Sequence, residues 1–136
     1  MEPEKIHLLK GSWDRVQGHG PALAESFYHR LFHLAPRLRD LFTITEMNSQ
    51  NEKFLLMMSE MVRYAGDPDR LVELLRASGR RHQDYGVVAR DYMTVGEAFL
   101  WALDHALPDG LSEDERDAWA EAYTFMSSVM RSGTAH

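Results

Sequence analysis

His82 is the side chain whose type and position best suit chemistry in the interior of this chain. Apolar residues recur before it at helical spacing, and His82 falls on the same face one turn later, before Gly86 breaks the helix. The preceding positions on that face are Leu71, Leu74, Leu75 and Ser78. Such a histidine is either a core or capping residue, favoured near a helix C-terminus, or a ring that presents a nitrogen to a metal. This stretch alone favours the structural interpretation.

Two further polar residues fall where apolar side chains are expected. Gln50 lies one turn ahead of Phe54 and shares its inward face, and Tyr28 adjoins the apolar stripe of its own helix. A core admits polar groups mainly when each has a partner. Together with His82, they indicate either a buried hydrogen-bond network or a polar-lined cavity around a ligand.

Other chemistry finds little support in the sequence. The chain has no cysteine, no glycine-rich phosphate loop, no His-Glu-x-x-His motif and no recognisable serine nucleophile. His29 and His33 are four residues apart, but no third residue completes a protein metal site. The remaining histidines show no spacing typical of metal ligands.

Length and composition indicate a globular protein. The 136 residues include 44% hydrophobic and 26% charged residues, and the net charge is −6. Without a basic patch, no nucleic-acid partner is expected, and no apolar stretch reaches the ~20 residues that span a bilayer. We expect a cytoplasmic protein with no membrane association, either a monomer or a weak homodimer.

Hydrophobic periodicity predicts an all-α fold of about seven helices in one domain, residues 1–136, with a frayed tail at about 133–136. A long helix is predicted from Val88. Gln50 is placed at the start of a helix, where we expect a looser chain than around Tyr28. Local signals that predict helix starts are Ser49 with Glu52, Asp67 with Pro68, and Ser112 with Glu115.

Short motifs occur in a characteristic order between about Ser12 and Met130. They are Ser12-Trp13, residues 27–32, Pro36 with Leu41-Phe42, residues 50–54, Arg80-Arg81-His82 with residues 85–87, Tyr92 with Val95-Gly96, Ala118-Trp119 and Ala122-Tyr123. In this order and spacing, the chain resembles the bacterial single-domain globins, the family that includes flavohaemoglobin haem domains. The resemblance implies a globin fold, with helices crossing at roughly 50° around haem b.

The resemblance also implies roles for individual residues. His82 matches the proximal ligand of the haem iron, and Phe42 matches the residue that wedges the haem in place. Tyr28 and Gln50 match the distal pair that face a bound diatomic ligand, and Phe54 takes the bulky apolar distal position. The other implied haem contacts are Lys53 and Arg81, near the propionates, and Val87, Tyr92, Val95 and Phe99 on the proximal and lower side.

Two departures from the family pattern bear on function. The distal position holds Gln50 rather than histidine, unlike vertebrate oxygen-storage globins. In addition, no acid matches the proximal carboxylate of flavohaemoglobins near Arg131-Ser132-Gly133, so the sequence does not favour a peroxidase-like push from the proximal side.

Three functions of different class follow from this interpretation. The first is reversible binding of dioxygen, with nitric oxide and carbon monoxide as further ligands, for storage or delivery. The second is a nitric oxide dioxygenase that depends on an external reductase, because these residues include no reductase domain. The third is a haem-free globin-fold interaction or sensor module.

Overall fold

The computed structural model describes residues 2–41, 44–84 and 87–132, and no side chains within 41–48 or 83–86. Within those ranges the structure contains helices and no strand, which agrees with the predicted all-α class. The elements are α1 (Pro3–Gln17), α2 (Gly20–Leu34), a 3-10 helix (Pro36–Leu41), α3 (Ile44–Arg63), α4 (Pro68–Asp84), α5 (Asp91–Ala106) and α6 (Glu113–Ser132). The six α-helices and one short 3-10 helix in the described ranges match the expected number.

Two of the predicted helix starts are confirmed by side-chain contacts. The backbone N–H of Arg70 donates to Asp67 Oδ1 at 3.4 Å. Ser112 and Glu115 form a reciprocal pair, with Glu115 N–H donating to Ser112 Oγ at 3.1 Å and Ser112 N–H to Glu115 Oε1 at 2.9 Å. Glu115 also accepts two bonds from Arg15 of α1, which ties the start of α6 to α1.

Two other predicted starts are wrong. Ser49 is not an N-cap, because α3 already begins at Ile44; the Ser49–Glu52 signal is purely local, and no glycine or proline separates it from the preceding residues. The helix expected from Val88 begins at Asp91 instead. There the Asp91 carboxylate accepts the Val88 N–H at 2.9 Å, a contact that holds Val88 outside the helix.

Large aromatic residues connect the helices in the core. Trp119 of α6 and Phe99 of α5 are buried, and their ring centroids lie 5.6 Å apart. The indole N–H of Trp119 donates to the hydroxyl of fully buried Ser12 in α1 at 2.8 Å. This bond gives the buried serine a partner, so the Ser12-Trp13 motif joins the first helix to the last.

Helix α4 crosses α6 at a glycine. A Cβ added to Gly79 would lie 2.9 Å from the Cα of Met130, and no real Cβ approaches a backbone atom that closely without displacement. The absence of a side chain at Gly79 therefore lets the two backbones meet, one residue after Ser78 and one turn before His82. Gly96 of α5 plays a similar part against the ring of Tyr123, 2.5 Å from such a Cβ.

We predict that Gly79→Ala destabilises the protein by about 1–3 kcal/mol, because the added methyl group must push α4 away from the α6 backbone. Urea unfolding of the purified protein measures this loss. Gly11→Ala is the matched control, since Gly11 is also helical but has no atom within 4 Å of the added Cβ. It should gain roughly 0.5–1 kcal/mol from helix propensity. Equal stabilisation in both variants would contradict the tight crossing.

Candidate functional site

Side chains from five α-helices and the 3-10 helix enclose a cavity of about 460 Å³ in the middle of the fold. This volume lies within the range of ligand pockets, roughly 300–1,000 Å³. Most of the wall is apolar, with phenylalanine, leucine, methionine and valine side chains. The few polar groups on such a wall are the ones that can orient a ligand.

The cavity wall includes all but one of the residues to which the family resemblance assigned a role at the haem. They are Tyr28, Gln50, Lys53, Phe54, Arg81, His82, Val87, Tyr92, Val95 and Phe99. The exception is Phe42, which lies outside the described residues. Residues from α2, α3, α4 and α5 are thus brought together around one space, while their roles toward haem remain predictions.

The ring of His82 is held by the helix that carries it. Its Nδ1 lies 2.7 Å from the carbonyl oxygen of Ser78 and 3.4 Å from the Ser78 hydroxyl. A carbonyl only accepts, so Nδ1 carries the hydrogen and the lone pair is left on Nε2. Burial lowers the pKa of His82, and the charge of Arg81 lowers it further against the opposing effect of the Ser78 bond. The ring is therefore a neutral imidazole whose Nε2 carries a lone pair.

Tyr28 and Gln50 form a hydrogen-bonded pair on the cavity wall. Tyr28 is buried, with 6% of its surface exposed. Burial raises the pKa of Tyr28 to about 12, although the bond with Gln50 acts the other way. The phenol consequently keeps its proton at neutral pH and can donate a hydrogen bond to a polar ligand.

Aromatic rings fix this pair in place. Phe54 stacks on Phe27, with centroids 4.5 Å apart and planes 8° from parallel. The same Phe54 ring meets Tyr28 edge-on at 5.9 Å and Phe99 at 6.1 Å. Stacked and edge-to-face contacts at these distances are favourable for aromatic rings. Phe54 therefore fills the space beside the polar pair and restricts how far Tyr28 can turn.

Lys53 and Arg81 combine solvent exposure with a place in the cavity wall, so they mark its mouth. Both are basic side chains. They could meet the carboxylates of a ligand whose apolar body enters the cavity, because the long stems of such side chains adapt while the heads stay in water.

Sequence reasoning missed several residues of the cavity wall, notably Asp91, Leu38 and Ser127. Asp91 is 4% exposed, and its partner Arg37 is 54 residues away in the sequence. Spacing gives no signal for so distant a pair. One local signal was present nonetheless: Asp91 is the first residue of α5, where the helix dipole favours a negative charge.

No group of three or more histidine, aspartate or glutamate side chains in the described ranges could hold a metal ion. This includes His29 and His33. Across the same ranges, no helix combines the length and apolar content that a membrane span requires.

A globin family model matches residues 25–130 of the chain. The chain is 29% identical to a flavohemoprotein of Vibrio cholerae over 132 residues, which cover 95% of this chain and 33% of that protein. It spans about a third of the length of the curated relatives it matches first.

Solved structures agree with this match. An engineered carbene transferase from Rhodothermus marinus is 25% identical, with a TM-score of 0.87 over 99% of this chain and 94% of that one. A bacterial globin from Campylobacter jejuni is 20% identical, with a TM-score of 0.82 over 99% of this chain and all of the other; at that identity the likeness concerns the fold alone. By the family match and the shared all-α architecture, the chain belongs to the globin family.

Proposed function

We propose that the cavity binds haem b, with His82 as the proximal ligand, and that the protein reversibly binds dioxygen. The observation that carries this proposal is the hydrogen bonding and position of His82. Its Nδ1–H donates to the Ser78 carbonyl, and its ring lines the same apolar cavity as the Tyr28–Gln50 pair. Nitric oxide and carbon monoxide are further ligands of such a site.

The residues present fit a haem. The cavity wall is apolar, as the body of the macrocycle requires, and the free Nε2 of a neutral imidazole is a common iron ligand. Lys53 and Arg81 at the mouth suit the two propionates. When bound, haem supplies a ferrous iron on which dioxygen gains partial negative charge and carbon monoxide gains much less.

The chain's own residues then act on the ligand by hydrogen bonding and by exclusion of water. Tyr28 keeps its proton because of its burial, and so donates to a negatively polarised ligand; the Gln50 amide is a second donor. Phe54 and Phe27 keep the surrounding space apolar, which strengthens each of these bonds. The arrangement therefore favours dioxygen over carbon monoxide.

His82→Ala should abolish stable haem uptake, or give a protein that loses haem readily and is rescued by added imidazole, because it removes the imidazole that would hold the iron. Titration of the purified protein with haem, followed by absorption, measures this. His29→Ala is the matched control, since His29 is exposed on α2. Unaltered haem affinity and an unaltered ferrous carbon monoxide spectrum in the His82 variant would refute the assignment.

Tyr28→Phe and Gln50→Leu should each speed dioxygen release roughly ten- to hundredfold, the effect of losing a hydrogen bond of about 1.5–3 kcal/mol to a charged acceptor. Release of carbon monoxide should change much less. Because the two side chains bond each other, the double variant should show a non-additive effect. Stopped-flow release rates of both gases for the three variants decide this. Equal acceleration of both gases would mean that the side chains only obstruct the cavity.

A second candidate function is nitric oxide dioxygenation, in which one nitric oxide, one dioxygen and one electron give nitrate. Support comes from the Tyr28–Gln50 pair and from similarity to flavohemoproteins. The electron must come from a reductase outside the described residues. In this reaction the role of Tyr28 would be the same: its phenol would donate a hydrogen bond to a negatively polarised ligand in the cavity.

The two functions differ in turnover. With haem, NADH, a flavin reductase and dioxygen, a dioxygenase should consume many equivalents of nitric oxide per haem and release as many of nitrate, and Tyr28→Phe should slow this more than Gln50→Leu. A nitric oxide electrode and a nitrate assay follow both species. Consumption that stops after one equivalent per haem would leave reversible ligand binding as the function.

A further inference from the structure

An ion pair joins the 3-10 helix to the start of α5. Arg37 Nη2 lies 2.5 Å from Asp91 Oδ1. The side chain of Arg37 is 46% exposed, whereas that of Asp91 is 6% exposed and lines the cavity. A buried carboxylate left without its cation is costly, so the 3-10 helix and α5 are held together at this point.

The second oxygen of the same carboxylate extends the connection toward His82. Asp91 Oδ2 accepts the backbone N–H of Val88 at 2.9 Å. The neighbouring N–H of Val87 donates to the carbonyl oxygen of His82 at 3.0 Å. Contacts thus run from Arg37 through Asp91 to the backbone of Val88 and of its neighbour Val87, which is hydrogen-bonded to His82. Val87 is itself part of the cavity wall.

Helix α6 contacts the start of α5 next to Asp91. The hydroxyl of Tyr123 donates to the carbonyl oxygen of Tyr92, the residue after Asp91. Burial opposes the negative charge of Asp91, but the bonds from Arg37 and Val88 and the charge of Arg37 outweigh it, and the pKa of Asp91 is lowered. The carboxylate is therefore charged at neutral pH, as the ion pair requires.

We propose that Arg37 and Asp91 are positioning residues that hold the backbone of Val87 and Val88 in place, and so fix one part of the cavity wall before haem enters. This inference rests on the proposed haem binding, which it deepens by naming residues that would control haem retention without contacting the iron. A merely structural ion pair would stabilise the whole fold uniformly. A positioning pair acts on Val87 and Val88 first, because those amides lie at the end of the series of contacts.

Hydrogen exchange of single backbone amides in the apoprotein separates the two roles. Arg37→Gln should speed exchange at Val87 and Val88 roughly ten- to hundredfold, the effect of weakening a hydrogen bond to a charged group. Exchange at Val16, a fully buried residue of α1, should stay unchanged, since local opening leaves distant helices closed. Arg37→Lys should restore part of the protection, because it returns the charge.

Haem transfer to an excess of an apoglobin acceptor, from the reconstituted protein, supplies the second measurement. Arg37→Gln should lose haem roughly tenfold faster, in line with the same weakened bond. The double variant Arg37→Gln with Asp91→Asn should recover part of the loss, since no unpaired charge remains. Arg39→Gln is the matched control: Arg39 lies on the same 3-10 helix, but its guanidinium sits over the ring of Phe32 at 5.6 Å.

The outcomes are distinguishable. A wild-type protein that takes up no haem would overturn the proposed function, while the amide exchange would still test the contacts themselves. Normal haem binding with unchanged exchange at Val87 and Val88 in Arg37→Gln would overturn the inference alone. Uniformly faster exchange, with Val16 affected equally, would also overturn it, because the pair would then stabilise only the fold as a whole.

Discussion

The close approach of α4 to α6 is the constraint on which the rest of the site depends. Gly79 touches the backbone of Met130 because it has no side chain, and the flanking residues of α4 are positioned by that contact. Ser78 comes immediately before the crossing and His82 one turn later. The imidazole and the carbonyl that orients it lie on the same helix, so a shift of the crossing would displace both relative to the cavity.

The polar groups of the cavity show how a largely apolar wall can carry reactive atoms. A buried polar side chain is stable when it is paired, and reactive only where some capacity stays unused. The Nδ1–H of His82 donates to Ser78 and its Nε2 keeps a lone pair, while Tyr28 and Gln50 bond each other. The pairing thus limits the cost of burial. It also orients Nε2 of His82 and the polar atoms of Tyr28 and Gln50.

The sequence predicted the parts of this structure that depend on local signals. Periodicity placed Tyr28, Phe54 and His82 on buried faces, and capping residues marked the starts of α4 and α6. Ser49 shows the limit of such signals, because a capping pattern does not oblige a helix to begin there. The Arg37–Asp91 pair shows another limit: two residues 54 positions apart meet only through the packing of the whole chain, and neither residue type nor spacing indicates the contact.

The corrected start of α3 changes the interpretation of Gln50. At a helix start, Gln50 would sit on the loosest part of the chain and move toward a ligand only when one is present. In the structure it is the seventh residue of α3, beyond the first turn, where its backbone N–H can bond within the helix. Phe54, one turn along, is stacked on Phe27 and fixes that face of the helix. Both side chains therefore stand on helices, and in the proposed haem site the contribution of Gln50 to ligand retention should approach that of Tyr28 more closely than its sequence position suggested.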